Sequence, residues 1–557
     1  NLENAMYIYL HLCNCGLENH RWLVNHIVPM FVECGSVFSA EHAIFRSMDC
    51  NEYSWTSLIQ GFIECGQLQH ALSLYDKMQQ DQIHPSKYTY MILLKAFGRQ
   101  RCLERSLQLH TEIVTRGLET ETFVGNSLVR MYSRYSALQE ARKVFDTLEN
   151  RNWFSWCALI AGYAQHGHGE KALEYFDKMQ HEGLSPNEVT LLCSLKACSS
   201  IGAIDKGIEM HTQIVREGLH EKYSSIANAL VDMYAKCGLL CEAQHVLQGL
   251  SSRDTISWSA LITGYAQEGH GHEALNCFEG MQNEGLSPNA ITFICLLKAC
   301  GSIGAIDKGK QIHAEIKMKG LLLKKDVALG TALVDMYAKC GALAQAQQVL
   351  EELPIRNTLS WSALIAGYAQ QGQGYEALKC FHRMQSDGIS PDNITFLCVL
   401  SACGRAGLLH EAKTLLGEMT IRYGIAASLE HHICMVMVFG CAGHFDDAMS
   451  VINTMPSSDH LEAWIVLLGA CRKWGNWKLG RLAFDQIMQL DSSCAAAYVL
   501  IDNIFLAAGM KEDAKKVEDM KLKYSALTKG KNGVTVEASG TELHLDFLIK
   551  RLSLSNT

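Results

Sequence analysis

Apolar residues recur at helical spacing between Thr255 and Asn289. Leu261, Ile262, Tyr265 and Ala266 share one face, and Gly269 stops that segment. Ala274, Leu275, Phe278 and Met281 repeat the pattern, which Gly285 and Pro288 close. The stretch predicts two short antiparallel helices in about 35 residues. The same pattern returns along the chain. A Ser-Trp pair ends at Trp55, Trp156, Trp258 and Trp361, spaced 101, 102 and 103 residues apart, and Gly-Tyr-Ala-Gln starts at Gly162, Gly264 and Gly367. A helical hairpin this short cannot bury its apolar face alone, so copies must stack. The expected fold is all-α, a solenoid of helix-turn-helix repeats.

Residues 1–20 read as the tail of a partial repeat, and 21–460 as an array of about 13 units. Their lengths rotate: 21–51 is 31 residues, 52–86 is 35 and 87–121 is 35. The cycle continues through 122–152, 153–187, 188–223, 224–254, 255–289, 290–326, 327–357, 358–392 and 393–428, and ends with the short unit 429–460. Two further helical hairpins are expected over 461–527. Alternating apolar and polar residues around Gly540 predict a short β-hairpin in the tail, 528–557.

Composition narrows the function classes. Apolar residues make up 48% of the 557, enough for a continuous core, and 7 prolines with no low-complexity tract argue against disorder. The net charge of −9 does not favour a nucleic-acid partner, although a groove can be locally positive on an acidic protein. No run of about 18 uninterrupted apolar residues is present, so no membrane span is expected. None of the 22 cysteines lies three residues from another, which removes the commonest zinc and thiol-redox signatures. Many occupy equivalent repeat positions, such as Cys198 and Cys300, and read as small buried side chains in a reducing compartment.

The 31-residue units carry Ala-Leu-Val-Asp-Met-Tyr-Ala-Lys-Cys-Gly at 229–238 and 332–341. Long units carry Leu-Lys-Ala-Cys at 195–198 and 297–300, then Gly-Ala-Ile-Asp-Lys-Gly at 202–207 and 304–309. With these motifs the chain resembles a plant-type pentatricopeptide repeat protein of the PLS subclass, in which P, L and S units alternate. The resemblance implies a right-handed superhelix that binds single-stranded RNA in an organelle, mitochondrion or chloroplast. Trp464, Gly469-Ala-Cys471, Gly475-Asn476, Tyr498-Val-Leu500 and Ala508-Gly509 are similar to the family's E-type extension, which implies cytidine-to-uridine editing.

In a P or S unit the fifth residue begins the first helix, and the second lies three before it on the same face. A small polar fifth residue can hydrogen-bond a base edge, an apolar second residue can stack on the base, and the last residue can complete the pairing. The pairs of fifth and last residues are Asn25/Asn51, Thr56/Ser86, Asn126/Asn152, Cys157/Asn187, Asn228/Asp254, Ser259/Asn289, Thr331/Asn357 and Ser362/Asp392. Trp22, Tyr53, Phe123, Phe154, Ile256 and Leu359 are the stacking candidates, with Ser225 and Ala328 weaker. Asn, Ser and Thr also serve as ordinary helix N-caps, but their fixed register as a set favours recognition. The family's pairing rule implies U for Asn228/Asp254, A for Ser259/Asn289 and Thr331/Asn357, G for Ser362/Asp392, and a pyrimidine for the two Asn/Asn pairs. Thr56/Ser86 and Cys157 depart from the rule. The apolar fifth residues Met91, Leu192, Ile294 and Leu397 of the L units cannot read an edge.

Arg134, Lys236 and Lys339 fall at position thirteen of three S units and are candidates for phosphate contact; Glu33 interrupts that stripe. No catalytic residue, metal ligand or cofactor is expected. His110-Thr-Glu112 and His313-Ala-Glu315 match half of a zinc deaminase motif, but they occupy one repeat position and no Cys-x-x-Cys completes them. His431 and His432 point roughly 100° apart on a helix and chelate poorly. Editing would therefore need a cytidine deaminase acting in trans through the E-type extension. The alternatives are a stabilisation, processing or splicing factor, or a protein-binding helical scaffold.

Overall fold

The computed structural model describes residues 2–17, 20–46, 50–100, 103–250, 252–321, 327–455 and 461–528, all of it helices and short connections. The β-hairpin expected in the tail lies outside the described residues, as does His460. The chain divides into two compact units, Asn1–Gly264 and Tyr265–Thr557.

In the first unit, hairpins open with helices Arg21–Glu33, Glu52–Glu64, Lys87–Gln100, Thr122–Arg134, Trp153–Gln165, Glu188–Ile201 and Ser224–Lys236. Each of these packs against its own second helix or the first helix of the next hairpin. The second unit repeats the arrangement from Ala290–Ile303 through Val327–Lys339, Thr358–Gln370, Asn393–Ala406, Leu429–Ala442, Leu461–Trp474 and Ala495–Ala507. Both are stacks of helical hairpins, the architecture of a helical-repeat solenoid. The hairpin from Glu188 also carries a one-turn helix, Leu219–Lys222, which takes up its added length.

Local chemistry sets the helix ends. Asn152, Asn187, Asn357 and Asp392 form capping boxes with the Ser or Thr three residues on. The first helices of three long hairpins end at Gly202, Gly304 and Gly407, whose φ of 66°, 68° and 71° would strain any residue with a Cβ. Glycine has a second use at Gly367, where a Cβ would stand 2.7 Å from Ala338 Cβ and 2.9 Å from Leu343 Cδ2. The small residue lets successive first helices approach closely, and Trp361 fills the layer beside it, 2% exposed.

The hairpins that open at Lys87, Glu188 and Ala290 are each tied to the following hairpin by a His-Tyr pair. His110 Nδ1 meets the Tyr132 hydroxyl at 2.6 Å, His211 the Tyr234 hydroxyl at 2.9 Å, and His313 the Tyr337 hydroxyl at 3.0 Å. His110 and His313 are thus packing residues. Burial, aided by nearby His220, pushes the His211 pKa down, and burial with Lys317 does the same for His313. A folded-state pKa below the unfolded value of about 6.5 favours the neutral ring, so its contribution is full above that pH and is lost as pH falls through the depressed value. Thermal stability is expected to drop as pH falls below about 6.5. The double variant His211→Gln/His313→Gln should flatten that slope in melts followed by circular dichroism; an unchanged slope would remove these rings from the account.

His431 is buried and caps its helix. Its Nδ1 accepts from Ser428 Oγ at 2.7 Å, and its Nε2 donates to the Asn393 carbonyl at 3.1 Å. Both nitrogens are therefore committed to packing. Cys198, Cys300 and Cys403 are fully buried, and burial pushes each thiol up to about 12. They behave as small hydrophobes. Among the described residues no group of side chains is arranged to hold a metal ion, and no helix is long and apolar enough to cross a membrane.

Candidate nucleic-acid interface

The start of each first helix places two kinds of side chain on one face. Trp22, Tyr53, Phe123, Phe154, Ile256 and Leu359 stand 50–63% exposed. An apolar side chain opening a helix would normally turn inward, so a periodic exposed series marks a binding surface. Three residues on, the fifth positions sink to the floor: Thr56, Cys157, Asn228, Ser259 and Ser362 are buried, and Asn25, Asn126 and Thr331 half-buried. The hairpins that open at Lys87, Glu188 and Ala290 add Tyr88, Val189 and Ile291, also exposed. Sequence reasoning passed over these three because their units carry apolar fifth residues, although the shared register was the signal that would have found them.

The last residue of each hairpin is at once a helix cap and a neighbour of the preceding fifth residue. In four pairs the two side chains touch directly. Asn126 Nδ2 donates to Asn152 Oδ1 at 3.2 Å, Cys157 Sγ to Asn187 Oδ1 at 3.4 Å, Asn228 Nδ2 to Asp254 Oδ2 at 2.9 Å, and Thr331 Oγ1 to Asn357 Oδ1 at 3.4 Å. In two others a threonine hydroxyl joins them. Thr89 links Thr56 to Ser86, and Thr395 links Ser362 to Asp392, with hydroxyl contacts of 2.7 and 2.8 Å to the fifth residue. Asn25 Oδ1 accepts from the Asn51 backbone N–H at 3.0 Å and from Ser54 Oγ at 2.7 Å. Ser259 is held by the Thr255 carbonyl, while Asn289 caps its helix through Thr292 N.

Capping thus decides which atom is left for a ligand. Asn357 Oδ1 accepts from Ser360 N at 2.8 Å, and Asp392 Oδ1 from Thr395 N at 2.8 Å. One oxygen is consumed by the helix, and the second atom remains: a donor Nδ2 for Asn, an acceptor Oδ2 for Asp. Asp254 divides the work, its Oδ1 accepting from Ile256 N and Ser257 N and its Oδ2 from Asn228. Burial opposes ionisation of Asp254, but hydrogen bonds from Ser257, Asn228 and Ile256 outweigh it and hold the carboxyl below its ordinary value. It is an obligate acceptor at neutral pH.

The three phosphate candidates differ among themselves. Lys236 is ion-paired with Asp232 at 2.8 Å and Lys339 with Asp335 at 2.7 Å, each one helical turn apart, so both are largely neutralised. Arg134 instead lies over Gly98 of the preceding hairpin, with Arg130 and Arg99 near enough to lower its pKa beyond what burial does. That is a cluster of like charge facing solvent. The i, i+4 spacing of Asp232 and Lys236 was visible in the sequence and signals the neutralised pairs.

Comparison with known proteins places this geometry. The PPR repeat family model matches residues 51–99, 151–200, 253–302 and 356–405, and the single PPR repeat model matches 88–118, 394–422 and 432–460. A putative pentatricopeptide repeat-containing protein of Arabidopsis thaliana is 35% identical over 90% of this chain and 73% of its own length. A mitochondrial one from the same plant is 32% identical over 96% and 77%. Further Arabidopsis relatives carry chloroplastic names. The pentatricopeptide repeat protein PPR10, solved in complex with an 18-nt psaJ RNA element, superposes with a TM-score of 0.54 over 90% of this chain and 84% of its own, at 15% identity. The last likeness concerns the fold; the first two settle kinship, and this chain belongs to the pentatricopeptide repeat family.

Proposed function

We propose that this chain binds single-stranded RNA sequence-specifically, one base per hairpin. The observation that carries the reading is the repeated hydrogen-bonded pairing of a buried or half-buried polar fifth residue with a helix-capping Asn or Asp, as in Asn126/Asn152, Asn228/Asp254 and Ser362/Asp392, with exposed Phe123 and Leu359 as the second residues of the first and last of these. Stacking is indifferent to base identity, whereas a donor or acceptor fixed by the cap discriminates between base edges. A protein-binding scaffold would use the Asn and Asp as helix caps but has no need of a second polar residue paired with each at this register.

The RNA is an organellar transcript on this reading, in keeping with the mitochondrial and chloroplastic names of the relatives. The hairpins over 461–527 would act as the E-type extension, docking a cytidine deaminase in trans for C-to-U editing. The last S unit would then sit four bases before the edited C. Stabilisation, processing or splicing of a transcript is the second reading, separated from editing by whether a deaminase co-purifies.

The test is a salt-titrated binding measurement with a labelled RNA carrying U, A, A and G opposite Asn228/Asp254, Ser259/Asn289, Thr331/Asn357 and Ser362/Asp392, against one with all four exchanged. A wrong base costs about 1–3 kcal/mol in direct readout. The exchanged RNA is expected to bind far more than tenfold weaker. Equal binding, or none, would sink the register and bring the scaffold reading forward.

A further inference from the structure

The exposed second residues are not of one kind. Trp22, Tyr53, Tyr88, Phe123 and Phe154 are aromatic in five consecutive hairpins, and each stands at least half exposed. From there on the series turns aliphatic or small: Val189, Ser225, Ile256, Ile291, Ala328 and Leu359. The aromatic rings are also supported from the side. Trp22 packs on His26 with ring centroids 4.4 Å apart, and Phe154 stacks on Trp153 at 3.5 Å. Lys87 Nζ sits 5.6 Å from the Tyr88 ring and 5.8 Å from that of Phe123, bridging neighbouring platforms, while it donates to Glu121.

Two further features vary along the chain. In the third and fourth hairpins Lys95, Arg99, Arg130 and Arg134 occupy positions nine and thirteen of adjacent first helices, on the face one and two turns beyond the fifth residue, whereas Glu33 and Glu64 hold position thirteen in the first two hairpins and the position-nine lysine recurs at Lys196 and Lys298. Arg134 feels Arg130 and Arg99 as like charges, in contrast to Lys236 and Lys339, which Asp232 and Asp335 neutralise. The hydrogen-bonding pairs change too. Between residues 21 and 187 they are Asn/Asn twice, Thr56/Ser86 and Cys157/Asn187, and a thiol is a weak base reader. Between 224 and 392 they are Asn/Asp, Ser/Asn, Thr/Asn and Ser/Asp, three different donor and acceptor sets, with Ser/Asn and Thr/Asn alike.

From these we infer that the chain divides its labour, a conclusion that rests on the RNA-binding reading. Residues 21–187 anchor the strand by stacking, with phosphate contact at Lys95, Arg99, Arg130 and Arg134 and no more than a pyrimidine preference at the two Asn/Asn pairs, and residues 224–392 select the sequence. The ligand of the anchor is any single-stranded nucleic acid segment with its bases unstacked. Aromatic platforms suit this role because every base has a π-face.

The test uses the full chain and two measurements. The triple variant Tyr53→Leu/Tyr88→Leu/Phe123→Leu, checked for helicity by circular dichroism, is expected to bind the matched RNA and the four-base-exchanged RNA more weakly by one common factor. At about fivefold per ring lost, the low end for base-aromatic stacking, that factor is roughly a hundred. The ratio between the two RNAs should stay as in the parent. A changed ratio, or unchanged affinity, would overturn the division. The second measurement needs no variant and decides the matter if the triple substitution unfolds. In RNA bound by the parent chain, removing the bases opposite the first five hairpins should weaken binding strongly, whereas exchanging each of them for the other base of its class, pyrimidine for pyrimidine and purine for purine, should not. Equal loss from both changes means that those hairpins read identity, so the anchor fails while RNA binding stands. Absence of binding to every RNA would defeat both.

Discussion

Asp392→Asn is expected to move base preference at the eleventh hairpin from G to A while leaving the fold intact. The helix cap survives because Asn and Asp rank together at the N-cap. Oδ1 keeps its bonds from Thr395 N at 2.8 Å and Thr395 Oγ1 at 2.7 Å, and only the second atom changes, from an acceptor oxygen to a donor nitrogen. On its Watson-Crick edge G offers N–H donors at N1 and N2, which suit an acceptor. The N1 of A is an acceptor and suits a donor. The Thr395 hydroxyl, 2.8 Å from Ser362 Oγ, holds the partner in place in either case. Competition binding with G or A at that position should show a reversal, with each preference worth about 1–3 kcal/mol. A variant that still favours G would mean that Asp392 faces the helix alone, and the register would fail.

The switch also shows what a sequence reveals of such a site. The Asn and Asp residues that end the hairpins could be read as caps or as base readers, and the geometry makes them both. Asn152 Oδ1 alone receives Phe154 N, Ser155 N, Ser155 Oγ and Asn126 Nδ2. Which atom is spent on the helix is a three-dimensional fact that spacing does not carry. The joining role of Thr89 and Thr395 was hidden for the same reason, since each reads as an ordinary capping-box partner until its distance to Thr56 or Ser362 is known.

The stack itself was plain in the sequence. Trp at one period and Gly in Gly-Tyr-Ala-Gln fix opposite requirements, bulk in the layer and close approach between helices; both recur in hairpins Trp153–Asn187, Thr255–Asn289 and Thr358–Asp392, and Glu52–Ser86 keeps Trp55 and Gly61 without the rest of the motif. Helices begin at Trp153, Thr255 and Thr358 accordingly. Surface charge was less legible. Lys236 and Lys339 occupy the same position as Arg134, but an aspartate one turn earlier changes what each can offer a phosphate.

Trp361→Ala is expected to give the largest loss of stability of any single substitution considered. The indole is 2% exposed in helix Thr358–Gln370, which packs against Val327–Lys339, Gly374–Ser386 and Asn393–Ala406. Removing a buried aromatic from a packed layer costs about 3–5 kcal/mol, because the surroundings relax only in part. Here relaxation is further limited: Gly367, two turns on, already brings its backbone close enough to Ala338 that a Cβ would stand 2.7 Å away, so the helices are at contact and cannot slide inward to fill the gap. In a stack of hairpins each element is stabilised chiefly by its neighbours, so the damage should stay local before it spreads. Hydrogen exchange is the measurement that separates this from global destabilisation. Amides of helices Val327–Lys339, Thr358–Gln370 and Asn393–Ala406 should lose protection by factors of a hundred or more, about 3 kcal/mol, while those of helices Leu461–Trp474 and Trp477–Leu490 keep theirs. Uniform loss along the chain would mean that the hairpins fold as one cooperative block, and the nearest-neighbour description of this stack would have to be given up.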